Sequence, residues 1–326
     1  ERQELVRTLA RLLAFTFVVE LVGAALLTLA FVLRGEAFFG ALWRGVFTSI
    51  SAFCNAGFAL QSANLIPYQT DPFILHTVAL LIILGGLSPA AVYSLPHLLR
   101  RPSRPVPVQA KLGLAAAAFL LFSGCFFLLA VEWNHTLAHL SWADRIHNAW
   151  FQSVTLRTAG FNSLDFALFQ PASLTLSMIW MFIGGGPGGT AGGVKTTTAA
   201  VMLLSVFNVI RGSSRVTAFG RHVGERTRHR AAAVVTLASA TLLAAVLSLQ
   251  LTQNLPGVDL LFEAVSALGT VGLSLGATAR LDEIGKIIIM VCMFTGRVGG
   301  LSLLMFMSNR SLPLPVGRPE EDLDVG

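Results

Sequence analysis

Apolar residues run in long blocks along this chain rather than alternating with polar ones. Six blocks stand out, at roughly 12–33, 73–95, 112–131, 172–210, 232–251 and 284–307. Most reach the ~20 residues that a helix needs to cross a bilayer. The fourth is too long for one span and is broken by Gly184 to Gly193, which holds seven glycines and Pro187. No helix should persist through such a run. Between the two blocks of each pair lies a shorter, semi-apolar stretch, at 41–58, 146–161 and 258–273. These are too short to cross the membrane twice, and each ends in a glycine-containing turn, as a re-entrant loop does.

Composition agrees with that pattern. Of 326 residues, 54% are hydrophobic and 12% charged, and the mean hydropathy is +0.70. A soluble domain carries about 25% charge, so a soluble globule and a disordered chain are both excluded. The expected class is an all-α polytopic membrane protein. The net charge of +6 would fit a nucleic-acid binder, but the charges sort by side. Arg100, Arg101, Arg104 and Lys111 fall in one linker, and Arg211, Arg215, Arg221, Arg226, Arg228 and Arg230 in another. Glu36, Asp71, Glu132, Asp144, Asp165, Asp259, Asp282 and Glu283 sit at the opposite ends of the blocks. By the positive-inside rule the N-terminus and both basic linkers are cytoplasmic, and no nucleic-acid partner is expected. Cys54, Cys125 and Cys292 are far apart and imply neither a disulfide framework nor a zinc site. The chain opens at Glu1 and reads as a piece of something longer.

Three segments align without gaps: FTSISAFCNAGF (47–58), WFQSVTLRTAGF (150–161) and FEAVSALGTVGL (262–273). A glycine cluster follows each, at Gly85 and Gly86, at Gly184 onward, and at Gly296, Gly299 and Gly300. Three units are therefore expected, at 1–98, 112–210 and 231–308. Basic linkers at 99–111 and 211–230 join them, and a tail spans 309–326. Each unit starts and ends on the same side, so the repeats are parallel about an axis normal to the membrane, not inverted.

A cation entering a membrane must exchange water for other oxygens. Extended, non-helical backbone supplies carbonyls, and it is tolerated at that depth only where it lines a water-filled path. Potassium-channel filters do this with four TVGYG loops around one axis. Here Thr270-Val271-Gly272, Asn55-Ala56-Gly57 and Thr158-Ala159-Gly160 occupy equivalent slots. Short helices ahead of them would aim their negative C-terminal ends at the path. A lone TVG triplet arises easily by chance. A glycine-rich helix-packing face would explain the glycine clusters, but not the re-entrant segments.

SAFCNAGF (51–58), SVTLRTAGFNSLDF (153–166), GGGPGGTAGGVKTTT (184–198), SALGTVGLSLGAT (266–278) and MFTGRVGGLSL (293–303) together resemble the Trk/Ktr/HKT superfamily of potassium transporters, most closely the Ktr-type membrane subunit. The resemblance covers essentially the whole chain. It implies potassium uptake across the plasma membrane through helix–pore loop–helix units around a pseudo-fourfold pore, each giving one filter strand with a glycine. Only three units are legible here, so the chain is expected to be a fragment lacking the first of four, the alternative being that another chain supplies the missing wall. The resemblance further implies a homodimer on a cytosolic nucleotide-binding regulatory ring, and sodium or nucleotide dependence.

It also implies an intramembrane gate formed by Gly184, Gly185, Gly186, Pro187, Gly188, Gly189, Thr190, Ala191, Gly192 and Gly193, with Arg297 below the filter. The physics agrees that a flexible polar backbone can obstruct water and withdraw. A phosphate loop at this run is set aside, because Val194 separates Gly193 from Lys195 and no strand precedes it. Arg297 is an intramembrane charge, a functional candidate by default; a structural alternative pairs it with Glu20 or Glu263. Lys195 either acts with Arg297 or snorkels to the cytoplasmic side. Arg157 is expected to buttress the second filter strand, with Asp165 as a candidate partner. Glu263 is expected to cap the third pore helix. Asn55 and Asn162 serve as turn or buttress groups.

The histidines do not cluster in sequence, so no metal is expected beyond potassium at the filter carbonyls. No catalytic set has motif context, so no enzyme is expected. The competing readings are a secondary transporter of an anionic solute bound at the broken helix, and a membrane scaffold recruiting partners through 211–230.

Overall fold

The computed structural model describes residues 2–99, 106–212 and 216–299. Among them the chain is helical, apart from one two-stranded hairpin, β1 (Thr217–Ala218) and β2 (Arg221–His222), and connecting segments. The hairpin lies in the second basic linker.

Among the described residues three helices are long and apolar enough to cross a membrane: the Leu9–Leu33 part of α1 (Arg2–Leu33), α5 (Val108–Glu132) and α9 (Glu225–Thr252). Each is followed by a short helix: α2 (Phe38–Phe53), α6 (Trp142–Thr155) and α10 (Gly257–Gly269). The short helices enter the molecule tip first. Their first turns expose Phe38, Phe39, Trp142 and Val258, whereas Ser51, Ala52, Phe53, Ser153, Val154, Thr155, Ala267 and Leu268 at their far ends are buried.

Each segment then returns through a further helix. Asp71 accepts the N–H groups of Phe73 and Ile74 at 3.0 and 3.1 Å and starts α3 (Pro72–Gly86). Pro171 starts α7 (Pro171–Phe182), and Asp282 accepts from Gly285 at 2.8 Å to start α11 (Glu283–Val298). Such caps satisfy the donors a helix start leaves free.

The apolar block at 73–95 is two helices rather than one span. α3 stops at Gly86, and α4 (Pro89–Leu99) begins behind Ser88, whose hydroxyl accepts the N–H of Ala91 at 3.2 Å. Pro89 lacks the N–H that a continuous helix would use there. The block at 172–210 divides as expected, into α7 and α8 (Thr196–Ile210) around the glycine run. Of the block at 284–307, only the part to Gly299 lies within the described residues.

Small residues let these helices touch. A Cβ on Gly85 would collide with the backbone carbonyl of Phe53, and one on Gly296 with that of Leu268. The end of a short helix thus lies directly on the helix that follows it, the close approach that membrane interfaces use in place of a hydrophobic driving force. Outward faces stay apolar: α9 buries only Ala231, Ala245 and Leu249 among its described residues, leaving Leu243, Leu247 and Leu251 exposed. A bare apolar face of that length requires hydrocarbon, not water, around it.

Candidate functional site

Each short helix ends in a turn of unusual handedness. Asn55, Thr158 and Thr270 have φ of 51°, 68° and 53°, and Gly57, Gly160 and Gly272 have φ of 73°, 81° and 92°. The residues between, Ala56, Ala159 and Val271, have negative φ. Positive φ is rare for any residue but glycine, and a β-branched threonine there is an outlier that its surroundings must hold. At the first and third turns the helix itself does the holding. Asn55 N–H donates to Ala52 at 3.1 Å and Ala56 N–H to Ser51 at 2.8 Å. Thr270 N–H donates to Ala267 at 2.9 Å and Val271 N–H to Ser266 at 2.8 Å. These are the paired bonds of a Schellman helix end, which places its next residue in the left-handed region.

The three glycines converge. A Cβ on Gly57 would lie 2.5 Å from the carbonyl oxygen of Ala159 and 2.8 Å from Cα of Gly160. One on Gly160 would strike the carbonyl oxygen of Val271 and come within 3.2 Å of Cα of Gly57. One on Gly272 would have Gly160 Cα at 3.8 Å and nothing else within 4 Å. The strands therefore stand in the order 57, 160, 272, with the middle one enclosed. Arg157 to Phe161 is buried throughout, whereas Gly272 is exposed.

Hydroxyls on the short helices fix the strands from behind. Ser51 donates to the Phe58 carbonyl at 2.8 Å, Thr155 to that of Phe161 at 2.5 Å, and Ser266 accepts the N–H of Gly272 at 3.1 Å. Asn162 joins the first and second strands: its carbonyl accepts from Leu65 at 3.0 Å and its N–H donates to Asn64 at 3.4 Å. Glu263 is not a helix-start cap. It lies mid-helix and buried, where its carboxylate accepts from the hydroxyls of Ser274 and Thr278 and from the Thr278 N–H. It thereby ties down the segment leaving the third strand. The acid in the first turn of α10 is Asp259.

The glycine run lies against the inner ends of these strands. It closes on itself where Gly184 N–H donates to Val194 at 2.8 Å and Val194 N–H to Phe182 at 3.1 Å. It is also bonded to the first segment: Gly186 N–H to Gly86 at 2.9 Å, Thr190 N–H to Gly85 at 3.1 Å and the Thr190 hydroxyl to the Phe53 carbonyl at 3.1 Å. A Cβ on Gly192 would come 2.8 Å from Cγ2 of Thr270, and one on Gly184 3.3 Å from Cγ2 of Thr158. The glycines are required because backbone and threonine side chains occupy the space. The hydroxyls of Thr158 and Thr270, at this seam, are buried without a hydrogen-bond partner.

Three cations reach the run, each through a carbonyl. Arg297 donates Nη1–H to Thr190, Lys195 donates Nζ–H to Ala191 at 2.5 Å, and Arg157 donates Nη2–H to Gly184 at 3.0 Å. Arg157 also reaches Ala117 of α5 at 3.4 Å. Among the described residues none of the three is in an ion pair. Arg297 does not meet Glu20 or Glu263, and Asp165 does not meet Arg157 but accepts the N–H of Ala167 at 3.0 Å. Sequence reading picked out Arg157 but not its partner, because the glycine-run carbonyl it uses is 27 residues away.

The profile of the family described as "TrkH: Cation transport protein" matches residues 1–313. The chain is 34% identical to the potassium/sodium uptake protein NtpJ of Enterococcus hirae, over 100% of this chain and 73% of that one. It is 34% identical to the Ktr system potassium uptake protein B of Vibrio alginolyticus, over 100% and 72%. It is 33% identical to the Ktr system potassium uptake protein D of Bacillus subtilis, over 94% and 69%. Among solved structures, the potassium transporter TrkH from Vibrio parahaemolyticus shares the fold, with a TM-score of 0.72 at 18% identity over 92% of this chain. The chain spans 64% of that structure's length. With its bare apolar helices and a family match across nearly its whole length, the chain belongs to the TrkH family of membrane cation transport proteins, which are not enzymes.

Proposed function

We propose that this chain conducts potassium through a filter of backbone carbonyls built by Asn55-Ala56-Gly57, Thr158-Ala159-Gly160 and Thr270-Val271-Gly272, and that the glycine run gates it. The observation that carries this reading is the convergence of three turns with the same alternating φ pattern. Alternating handedness presents successive carbonyls toward one side, and three such strands side by side offer a dehydrated cation replacement oxygens. The names of the relatives, potassium or potassium/sodium uptake proteins, support the same cation class.

On this reading the units 1–98, 112–210 and 231–308 are parallel repeats, and a fourth strand completes the ring beside the exposed Gly272. The run from Gly184 to Gly193 blocks the path below the filter, and Arg297 holds it through the Thr190 carbonyl. Its positive charge adds an electrostatic barrier to cations. Opening requires that bond to break. Lys195 and Arg157 pin the two ends of the run. The protein sits in the plasma membrane with both basic linkers in the cytoplasm. It works as a dimer with a separate cytosolic nucleotide-binding ring; the relatives named as parts of a Ktr system support a multi-subunit assembly. Sodium enters as a second transported or activating ion. An anionic solute at the broken helix is disfavoured, because Lys195 and Arg297 already spend donors on loop carbonyls.

The test is ion flux in cells lacking other potassium uptake, with the chain supplied with whatever completes the ring. Gly272→Ser is expected to lower potassium over sodium selectivity, and deletion of 185–192 to raise flux. Unchanged selectivity in a folded Gly272→Ser protein would overturn the filter assignment. Unchanged flux in a folded deletion variant would overturn the gate.

A further inference from the structure

Sequence reading left the histidines scattered, yet the fold brings two of them together. His76 on α3 and His147 on α6 face each other with Nε2 and Nδ1 2.9 Å apart, ring centroids 4.9 Å apart and ring planes at 86°. Among the described residues neither ring has another hydrogen-bond partner. His76 is exposed and His147 half-buried, so the pair is open to the surroundings. It lies about one helical turn inside the Asp71 cap, well away from the glycine run.

We propose that His76 and His147 bind one divalent transition metal ion of the zinc, nickel or copper class. Imidazole nitrogen suits these ions, while potassium, magnesium and calcium prefer oxygen. Two ring nitrogens bound to one ion at about 2.0–2.1 Å stand roughly 2.9–3.3 Å apart, from cis-octahedral to tetrahedral angles. The pair already meets that spacing. The ion would sit beside the line between the two nitrogens, with each ring tilted toward it, and the ring that carried the bridging hydrogen shifts it to its other nitrogen, so a neutral pair releases no proton.

The spacing is held by contacts that do not involve the pair. Asn148, the residue after His147, donates to the Gln69 carbonyl at 2.7 Å, and His139 bonds the Gln69 side chain at 3.1 Å. Leu65 N–H donates to Asn162 at 3.0 Å across the same seam. A preset geometry lowers the ordering cost of binding. Among the described residues no third histidine, cysteine or carboxylate joins the pair. Water therefore fills the remaining positions, which makes the site open and exchangeable rather than a closed structural centre. A bound ion would fasten α3 to the short helix that carries the second strand. The proposal does not depend on the transport reading.

The test is binding of nickel and copper ions to the purified chain in lipid nanodiscs. Calorimetry should show one Ni²⁺ per chain. H76Q or H147Q should weaken it by about tenfold or more, no less than loss of an outer-shell partner costs a metal site. A variant with His135 replaced by Gln should bind as the parent does. Electron paramagnetic resonance of the parent with Cu²⁺ should show two nitrogen ligands, a readout that needs no variant to fold. Absence of saturable binding to the parent, fewer than two nitrogens on Cu²⁺, or binding unaffected by H76Q and H147Q in folded protein would each overturn the proposal.

Discussion

The first and third strand turns form in one way and the second in another. At the aligned position before each turn stand Cys54, Arg157 and Gly269. Asn55 and Thr270 take their left-handed conformation from a Schellman end on their own helix. The second turn lacks the six-to-one bond: Ala159 N–H goes to Thr155 at 3.0 Å instead, and Arg157 reaches out to Gly184 and Ala117. Two turns are thus local products of a helix ending, and one is a tertiary product held by the glycine run and by strands on both sides. The middle segment also reaches the gate candidate directly, through Arg157 to Gly184. A disturbance there should spread, whereas one at the edge should stay local.

The largest expected effect is the contrast between Gly160→Ala and Gly272→Ala. Both force alanine into a left-handed φ, which costs on the order of 1–3 kcal/mol. Only at Gly160 does the new Cβ also strike a backbone carbonyl. Thermal unfolding in detergent should show Gly160→Ala far less stable than Gly272→Ala; equal losses would break the distinction between enclosed and edge strands. Next comes Arg157→Gln against Cys54→Ala. Removing the guanidinium strands the buried Gly184 carbonyl, at roughly 1–3 kcal/mol, and should raise proteolysis of the glycine run. Arg157→Lys should recover little, since an ammonium lacks the fork that spans two acceptors. Cys54→Ala should leave the run protected.

A smaller effect is expected from Ser51→Ala and Ser266→Ala, about 1 kcal/mol each for one hydrogen bond lost. If the edge turns are helix-held, both variants keep the parent's ion selectivity within error; a shift as large as that of Gly272→Ser would contradict it. The smallest concerns Asp282, whose carboxyl the Gly285 N–H and the Gln253 side chain hold below its ordinary range. A depressed pKa stabilises the fold above the unfolded carboxylate range, and the gain is lost as pH falls through the folded value. Asp282→Asn should therefore lower the melting temperature slightly at neutral pH and not at strongly acidic pH.

Much of this was legible in the residue order. The helix–turn–helix units followed from block lengths, the glycine run from its composition, and the three strand glycines from an ungapped alignment. The short helices appeared within a few residues of the semi-apolar stretches. What failed depended on distance in sequence. The block at 73–95 looked continuous because its Ser88–Pro89 stop carries no hydropathy signal. Glu263 looked like a cap because its partners Ser274 and Thr278 come after the strand. His76 drew no notice in an apolar helix, and nothing in its neighbourhood pointed to His147.

The residue order by itself determined that this chain lives in a membrane, that its long apolar helices are each followed by a short one ending in a glycine turn, and where glycine must stand. Those are consequences of hydropathy, of helix length against bilayer thickness, and of backbone stereochemistry, which each segment obeys alone. Only the tertiary structure decided which carbonyl Arg157, Lys195 and Arg297 each bond, which strand is enclosed and which lies open, and which imidazoles meet. Those depend on how helices far apart in the chain pack. A guanidinium without a nearby carboxylate takes whatever acceptors that packing brings within reach.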